Sequence, residues 1–264
     1  VSNKGVKAYQ VGDYTNALNF FNQAASVYPR NDIAYYHLGL IYLYEKNDSA
    51  KAKEFFKKSL ELNPSDTDYM FQYARILFSE GNLEDASGIY NKILKSHPGH
   101  SASIFWLGQI AEKKGAVKDA EDFYRRVIEA DPGYGRAYAS LASLYRQYDA
   151  WPESLTVLRE CVRINPSEAQ CQHDLGLMLL EEGKIDDAIS SFSEGLKNAP
   201  ENSTYLFNLA NALSQKVDYR TASHYLKKFV VEAKGDPLEY IEHAKVLLLN
   251  LQKLIAKEET HIRE

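Results

Sequence analysis

Seven histidines, two cysteines and a scatter of acidic pairs are the groups in this 264-residue chain with chemistry to offer. A zinc-dependent hydrolase helix needs His-Glu-x-x-His, which sets two imidazoles one turn apart on one face, and no histidine here stands in that pattern. His97 and His100 flank Pro98-Gly99, a turn, and a metal site would need further ligands beside them. His173-Asp174 has the residue types of an acid–base pair, but no nucleophile can be placed next to it, so it reads as a polar surface pair on a helix. Gly183-Lys184 ends like a phosphate-cradling loop, yet the glycine such a loop needs five residues earlier is Met178. Asp186-Asp187 and Glu121-Asp122 fall where helices begin, and acids there complement the helix dipole. The expectation is a protein with no catalytic residue, no metal and no cofactor.

Cys161 and Cys171 straddle Pro166 symmetrically, which sets them near one another across an antiparallel helix pair. A disulfide and a pair of small buried thiols both fit; the positions are ones where small packing residues are usual, which favours packing. The charge balance is mild: 31 Lys+Arg against 36 Asp+Glu gives −5, with no basic block of the kind a dedicated nucleic-acid binder needs. The aliphatic run Val246-Leu247-Leu248-Leu249 is far short of the roughly 20 apolar residues that span a bilayer. A soluble chain is expected, without membrane insertion. It begins with Val and shows no leader pattern, as a trimmed or mature form would, and two cysteines leave cytoplasm and periplasm both open.

The elements that carry these groups follow from a period. Prolines stand at 29, 64, 98, 132, 166 and 200, with one step of 35 and four of 34. Two ladders of small residues keep the same spacing: Ala17, Ala52, Ala86, Ala120, Ser154, Ala188, Ala222, and Gly5, Gly39, Ala74, Gly108, Ala142, Gly176, Ala210. The three 35-residue steps overlap between residues 39 and 52, so one extra residue belongs near the turn Lys46-Asn47-Asp48. Within a repeat, Ile104, Leu107, Gly108 and Ala111 recur at helical spacing, Gly115 breaks the pattern, and Ala120, Phe123, Tyr124, Val127 and Ile128 resume it before Pro132. Each repeat is therefore two amphipathic helices, with small residues where their backbones approach.

This pattern resembles the tetratricopeptide repeat (TPR) family, whose unit is 34 residues with small residues at two helix crossings and a closing proline. Ser154, Asp149 and Val217 depart from it, the last two where a turn glycine is usual. Pentatricopeptide repeats have a similar period and bind RNA, but usually carry a basic groove and lack this ladder. The resemblance implies an all-α fold, a right-handed α-solenoid of helix-turn-helix units. Residues 1–236 form the array, in units 1–31, 32–66, 67–100, 101–134, 135–168, 169–202 and 203–236, and 237–264 a long C-terminal capping helix.

The family's first helices line a concave groove, and carrying those positions over gives two kinds of surface. Tyr36, Leu40, Leu43, Tyr44, Phe71, Arg75, Phe78, Phe105, Trp106 and Gln109 make an aromatic and apolar part; Arg136, Ser140, Ser143, Arg146, His173, Asp174, Leu177, Phe207, Asn208 and Asn211 make a polar part. The implied function is a non-enzymatic scaffold that binds a peptide or helical segment of a protein partner and supports complex assembly. The alternative is a regulatory or substrate-recruiting part of a larger, catalytic protein. The Lys/Asn clamp with which some members hold a C-terminal carboxylate is not matched, since those positions read Tyr36, Leu40, Phe71 and Phe105.

From Pro237 to about Ile262 one helix is expected, with Asp236 as its N-cap. Its leucines project all round the axis, and a cap uses only one stripe of them. Leu251, Leu254 and Ile255 are therefore expected to support self-association or a partner helix.

Overall fold

The computed structural model describes residues 1–233 and 237–261; Asp236 and Ile262 lie outside them. Fifteen helices and no strand occur among the described residues. They come in pairs: α1 (Ser2–Gln10) with α2 (Tyr14–Val27), α3 (Asp32–Tyr44) with α4 (Ser49–Leu62), α5 (Thr67–Ser79) with α6 (Leu83–Ser96), and α7 (Ser101–Lys113) with α8 (Val117–Ala130). There follow α9 (Gly135–Gln147) with α10 (Trp151–Ile164), α11 (Ala169–Glu181) with α12 (Ile185–Asn198), α13 (Ser203–Gln215) with α14 (Tyr219–Glu232), and then α15 (Leu238–His261) alone. The chain divides into two compact halves, Val1–Arg126 and Val127–Glu264.

Local chemistry explains where these helices start and stop. Asp13, Asn31, Asp48, Asp66, Asn202 and Asp218 each accept from a backbone N–H in the first turn of the helix that follows, satisfying a donor the helix itself cannot. Within each pair the chain reverses through one left-handed residue: Gly12, Asn47, Gly81, Gly115, Asp149, Gly183 and Val217, with φ between 51° and 82°. Between α3 and α4 the loop has four residues, 45–48, where the other paired helices are joined by three, and this is where the surplus residue sits.

Val217 is the outlier of that series, a β-branched side chain at φ 68° where its Cβ crowds the carbonyl. It is exposed, so replacing it removes no buried contact. Val217→Gly should raise stability by about 1 kcal/mol, the left-handed strain relieved less the entropy glycine adds to the unfolded chain. Urea titration checks this, and a neutral or lower midpoint contradicts it.

The small-residue ladders mark tight contacts. All six alanines of the first ladder are fully buried, and Ser154, in the fifth place, is buried with its hydroxyl donating to the Ala142 carbonyl at 2.8 Å. The second ladder works differently from the backbone-to-backbone approach expected of it. A Cβ built on Gly39 would stand 2.6 Å from the Phe56 ring, and one on Gly108 would stand 2.6 Å from the Tyr124 ring. What the glycine admits is an aromatic ring from the second helix of its own pair.

In the N-terminal half, Ala17, Phe21, Leu38 and Ile41 build one core cluster, and Met70, Leu77, Tyr90, Ile93 and Ile110 another. The C-terminal half has one continuous core running from Tyr138 to Leu251. Inside it Cys161 of α10 and Cys171 of α11 form a disulfide, with Cα atoms 6.2 Å apart. The packing-thiol reading is corrected at that point: both sulfurs are buried, and they are bonded.

Helix α15 is 24 residues long against 13 for the first helix of the pair before it. It starts 35 residues after α13, one residue past the period, but does not turn where a second helix would begin. Leu251 stands 34 residues after Val217, at the turn position, and is instead buried at 1% exposure with Ala244 against the rest of the half. The expectation that Leu251 needs a second surface is corrected; Ile255 is partly buried and Leu254 exposed.

Candidate functional site

In the N-terminal half, the face formed by the first helices α3, α5 and α7 sets two of the expected aromatic residues, Tyr44 and Trp106, against Arg75. Its guanidinium donates to the Tyr44 hydroxyl and to Gln72 Oε1 at 3.2 Å, and its carbon lies 5.9 Å from the Tyr44 ring centroid and 5.8 Å from that of Trp106. Trp106 meets Phe78 edge-on at 4.8 Å, and the Lys113 ammonium stands 5.3 Å from the Phe78 ring. Tyr44 is 50% exposed. No carboxylate pairs with Arg75 among the described residues, so this cation lies on an aromatic bed.

Other residues expected on this face pack inward. Leu40 is 8% exposed and Phe105 2%, the latter against Tyr124 at 5.8 Å. Phe71 is partly buried between Tyr90 and His100. Tyr36 lies between Phe56 and Tyr69, and burial, with the Asp68 charge, pushes its hydroxyl up to about 12. Gln109 donates to the Tyr124 hydroxyl, which donates to Glu112. Leu40 and Phe105 are thus corrected from groove contacts to core residues, because adjacent positions on one helix point to different neighbours.

Two histidines of this half are held neutral. His37 is stacked on Phe21 with ring centroids 4.7 Å apart, and burial lowers its pKa. His100 caps α7, its Nδ1 accepting from the Ser103 N–H at 3.2 Å, and burial first, then the His97 charge, lowers its pKa. Both folded values lie below the ordinary value of about 6.5, so the unfolded chain takes protons first as pH falls. The stability these groups contribute is complete above that value and is lost as pH drops from it toward the folded values. The melting temperature of this half should fall as pH drops below about 6.5, and His37→Phe with His100→Asn should flatten that slope. An unchanged slope in the double variant contradicts the assignment.

In the C-terminal half, α11 and α13 carry a polar chain. The Tyr205 hydroxyl donates to Gln170 Oε1 at 3.1 Å, and Gln170 Nε2 donates to Asp174 Oδ1 at 2.9 Å. His173 bridges Asp174 Oδ1 (3.2 Å from Nδ1) and Asn208 Nδ2 (2.8 Å from Nε2), with its ring stacked on Tyr205 at 4.4 Å. The surface-pair reading of His173-Asp174 is corrected: the imidazole is buried and both its nitrogens are engaged. Asn208 and Asn211 are partly buried on α13, while on α9 Arg136 is exposed and Arg146 partly buried. Sequence reasoning missed the cavity beside this chain, where Phe207 meets His243 of α15 at 5.9 Å.

Family models described as tetratricopeptide repeat match residues 33–66, 71–135 and 173–237. The chain belongs to the tetratricopeptide repeat family. Its fold is the all-α helical solenoid of that family, and TPR proteins are in general non-catalytic platforms for protein–protein interaction. A tetratricopeptide repeat protein from Parabacteroides merdae is similar over 94% of this chain and 96% of its own, with a TM-score of 0.69 and 17% identity. Pseudomonas aeruginosa pilF is similar over 80% of this chain and 96% of its own, at 0.63 and 20%. The APC/C hetero-tetramer Cut9-Hcn1 is similar over 89% of this chain, at 0.67 and 16%, and the TPR chain here spans 46% of that one. At such identities the likeness speaks to the fold alone. Among curated proteins no sequence match is found. No described helix is long and apolar enough to cross a membrane, and no group of three metal-ligating side chains converges among the described residues.

Proposed function

We propose that this TPR protein is a non-catalytic scaffold that binds a peptide or helical segment of a partner on the α3–α5–α7 face and so supports assembly of a complex. The observation that carries the reading is Arg75, a guanidinium without a carboxylate partner among the described residues, laid against Trp106 and Tyr44. A partner that brings an acidic group beside an apolar side chain satisfies both the charge and the rings. The chain has two tryptophans, so Trp151→Phe leaves Trp106 as the sole reporter. Peptides selected from a displayed library on this variant should carry a carboxylate and change Trp106 emission on binding. Selected peptides that bind with that emission unchanged would place the partner elsewhere.

The same reading includes association through α15. Val246, Leu249 and Leu254 are exposed large apolar residues on it, while Ala244 and Leu251 are used internally. Val246→Glu with Leu249→Glu should reduce the mass seen by light scattering at high concentration. A monomer before and after substitution, with no partner helix captured, counts against association here.

A further inference from the structure

Beyond the N-terminal face, and independent of it, the C-terminal half holds two adjoining cavities between α13 and α15, of about 350 and 330 Å³, which share Phe207 and Tyr240. Their walls are aromatic: Phe207 rests on the buried Phe229 ring at 5.5 Å, and Tyr240 is 60% exposed. Aromatic faces attract cations. Glu239 lines one cavity, and its carboxylate has no hydrogen-bond or ion-pair partner among the described residues. Thr204 and Asn208 line the other.

The orientation of Asn208 follows from the polar chain behind it. Asp174 Oδ1 accepts from His173 Nδ1, and in that tautomer the imidazole presents Nε2 as an acceptor. Asn208 must then give that nitrogen its Nδ2, at 2.8 Å. The amide atom left over is Oδ1, an acceptor. The cavities therefore offer a carboxylate, an amide oxygen and a hydroxyl against ring faces, and no lysine or arginine is among the described residues that line them.

We propose that these cavities bind an arginine side chain of a partner peptide. A guanidinium is planar, stacks on rings and carries a fixed fork of donors, so it suits ring walls edged by a carboxylate and an amide oxygen better than a lysine ammonium does. The test uses the full chain and acetyl-Gly-Arg-Gly-amide as probe, with the citrulline peptide as its neutral isostere, followed by backbone NMR shifts. The arginine peptide should give saturable shifts at Phe207, Asn208 and Tyr240, and citrulline should bind about tenfold more weakly, as expected when a desolvated cation loses its charge. Glu239→Gln, an exposed substitution whose fold circular dichroism checks, should bring the arginine peptide down to the citrulline level. Equal binding of the two peptides, indifference to Glu239→Gln, or no saturable shift at these residues overturns the proposal. Trp106 emission reports the N-terminal face separately, so failure of one site is not failure of the other.

Discussion

Prolonged incubation with reductant lowers the melting temperature of the C-terminal half by about 5–10 °C, the expected effect of opening Cys161–Cys171. The two cysteines are ten residues apart, and closing a loop of that size removes denatured-state entropy worth about 2–3 kcal/mol. For a body of this size each kcal/mol moves the midpoint by roughly 3 °C. Both sulfurs are buried, so reduction waits for local opening and the incubation must be long. Cys161→Ala with Cys171→Ala should reproduce the loss and remove any further response to reductant. Alkylation of both thiols in denaturant without reductant, with melting unchanged, would restore them to the role of packing residues.

Loss of partner binding on Trp106→Ala should be about thirty-fold, since a central aromatic anchor contributes upwards of ~2 kcal/mol. Arg75→Gln keeps a hydrogen-bonding end while removing the charge, and should weaken binding while flattening its dependence on salt. Phe105→Ala is the contrasting case. That ring is buried, so its truncation should cost about 3–5 kcal/mol of stability and report on folding rather than on recognition. If Trp106→Ala and Arg75→Gln leave affinity unchanged while circular dichroism shows both folded, the α3–α5–α7 face is not where the partner sits.

Much of the local architecture is written in small residues and turn positions that recur with the period. A glycine facing Phe56 or Tyr124 cannot drift to another register, and a residue held at positive φ in every pair dates each turn to within one position. The candidate site was less legible because it depends on direction rather than period. Phe105 and Trp106 are adjacent and both aromatic; 100° around the helix sends one into the core and leaves the other beside Arg75. His173 looked exposed because its companions, Tyr205 and Asn208, come from the next pair, 32 and 35 residues on. Leu251 falls where the ladder asks for a turn, and only the continuing helix shows it as buried. The two cavities between α13 and α15 had no sequence signal beyond Pro237 reopening a helix in the expected place.

The two compact halves carry different weak points. The histidines that resist protonation, His37 and His100, lie in residues 1–126, and the bond that resists reduction lies in residues 127–264. Acid loosens the first and thiols loosen the second, so a calorimetric trace that is a single peak at neutral pH should split in opposite orders under the two treatments. A compartment that is both acidic and reducing would then act on both weak points at once, whereas one that is only acidic would leave the Cys161–Cys171 bond closed.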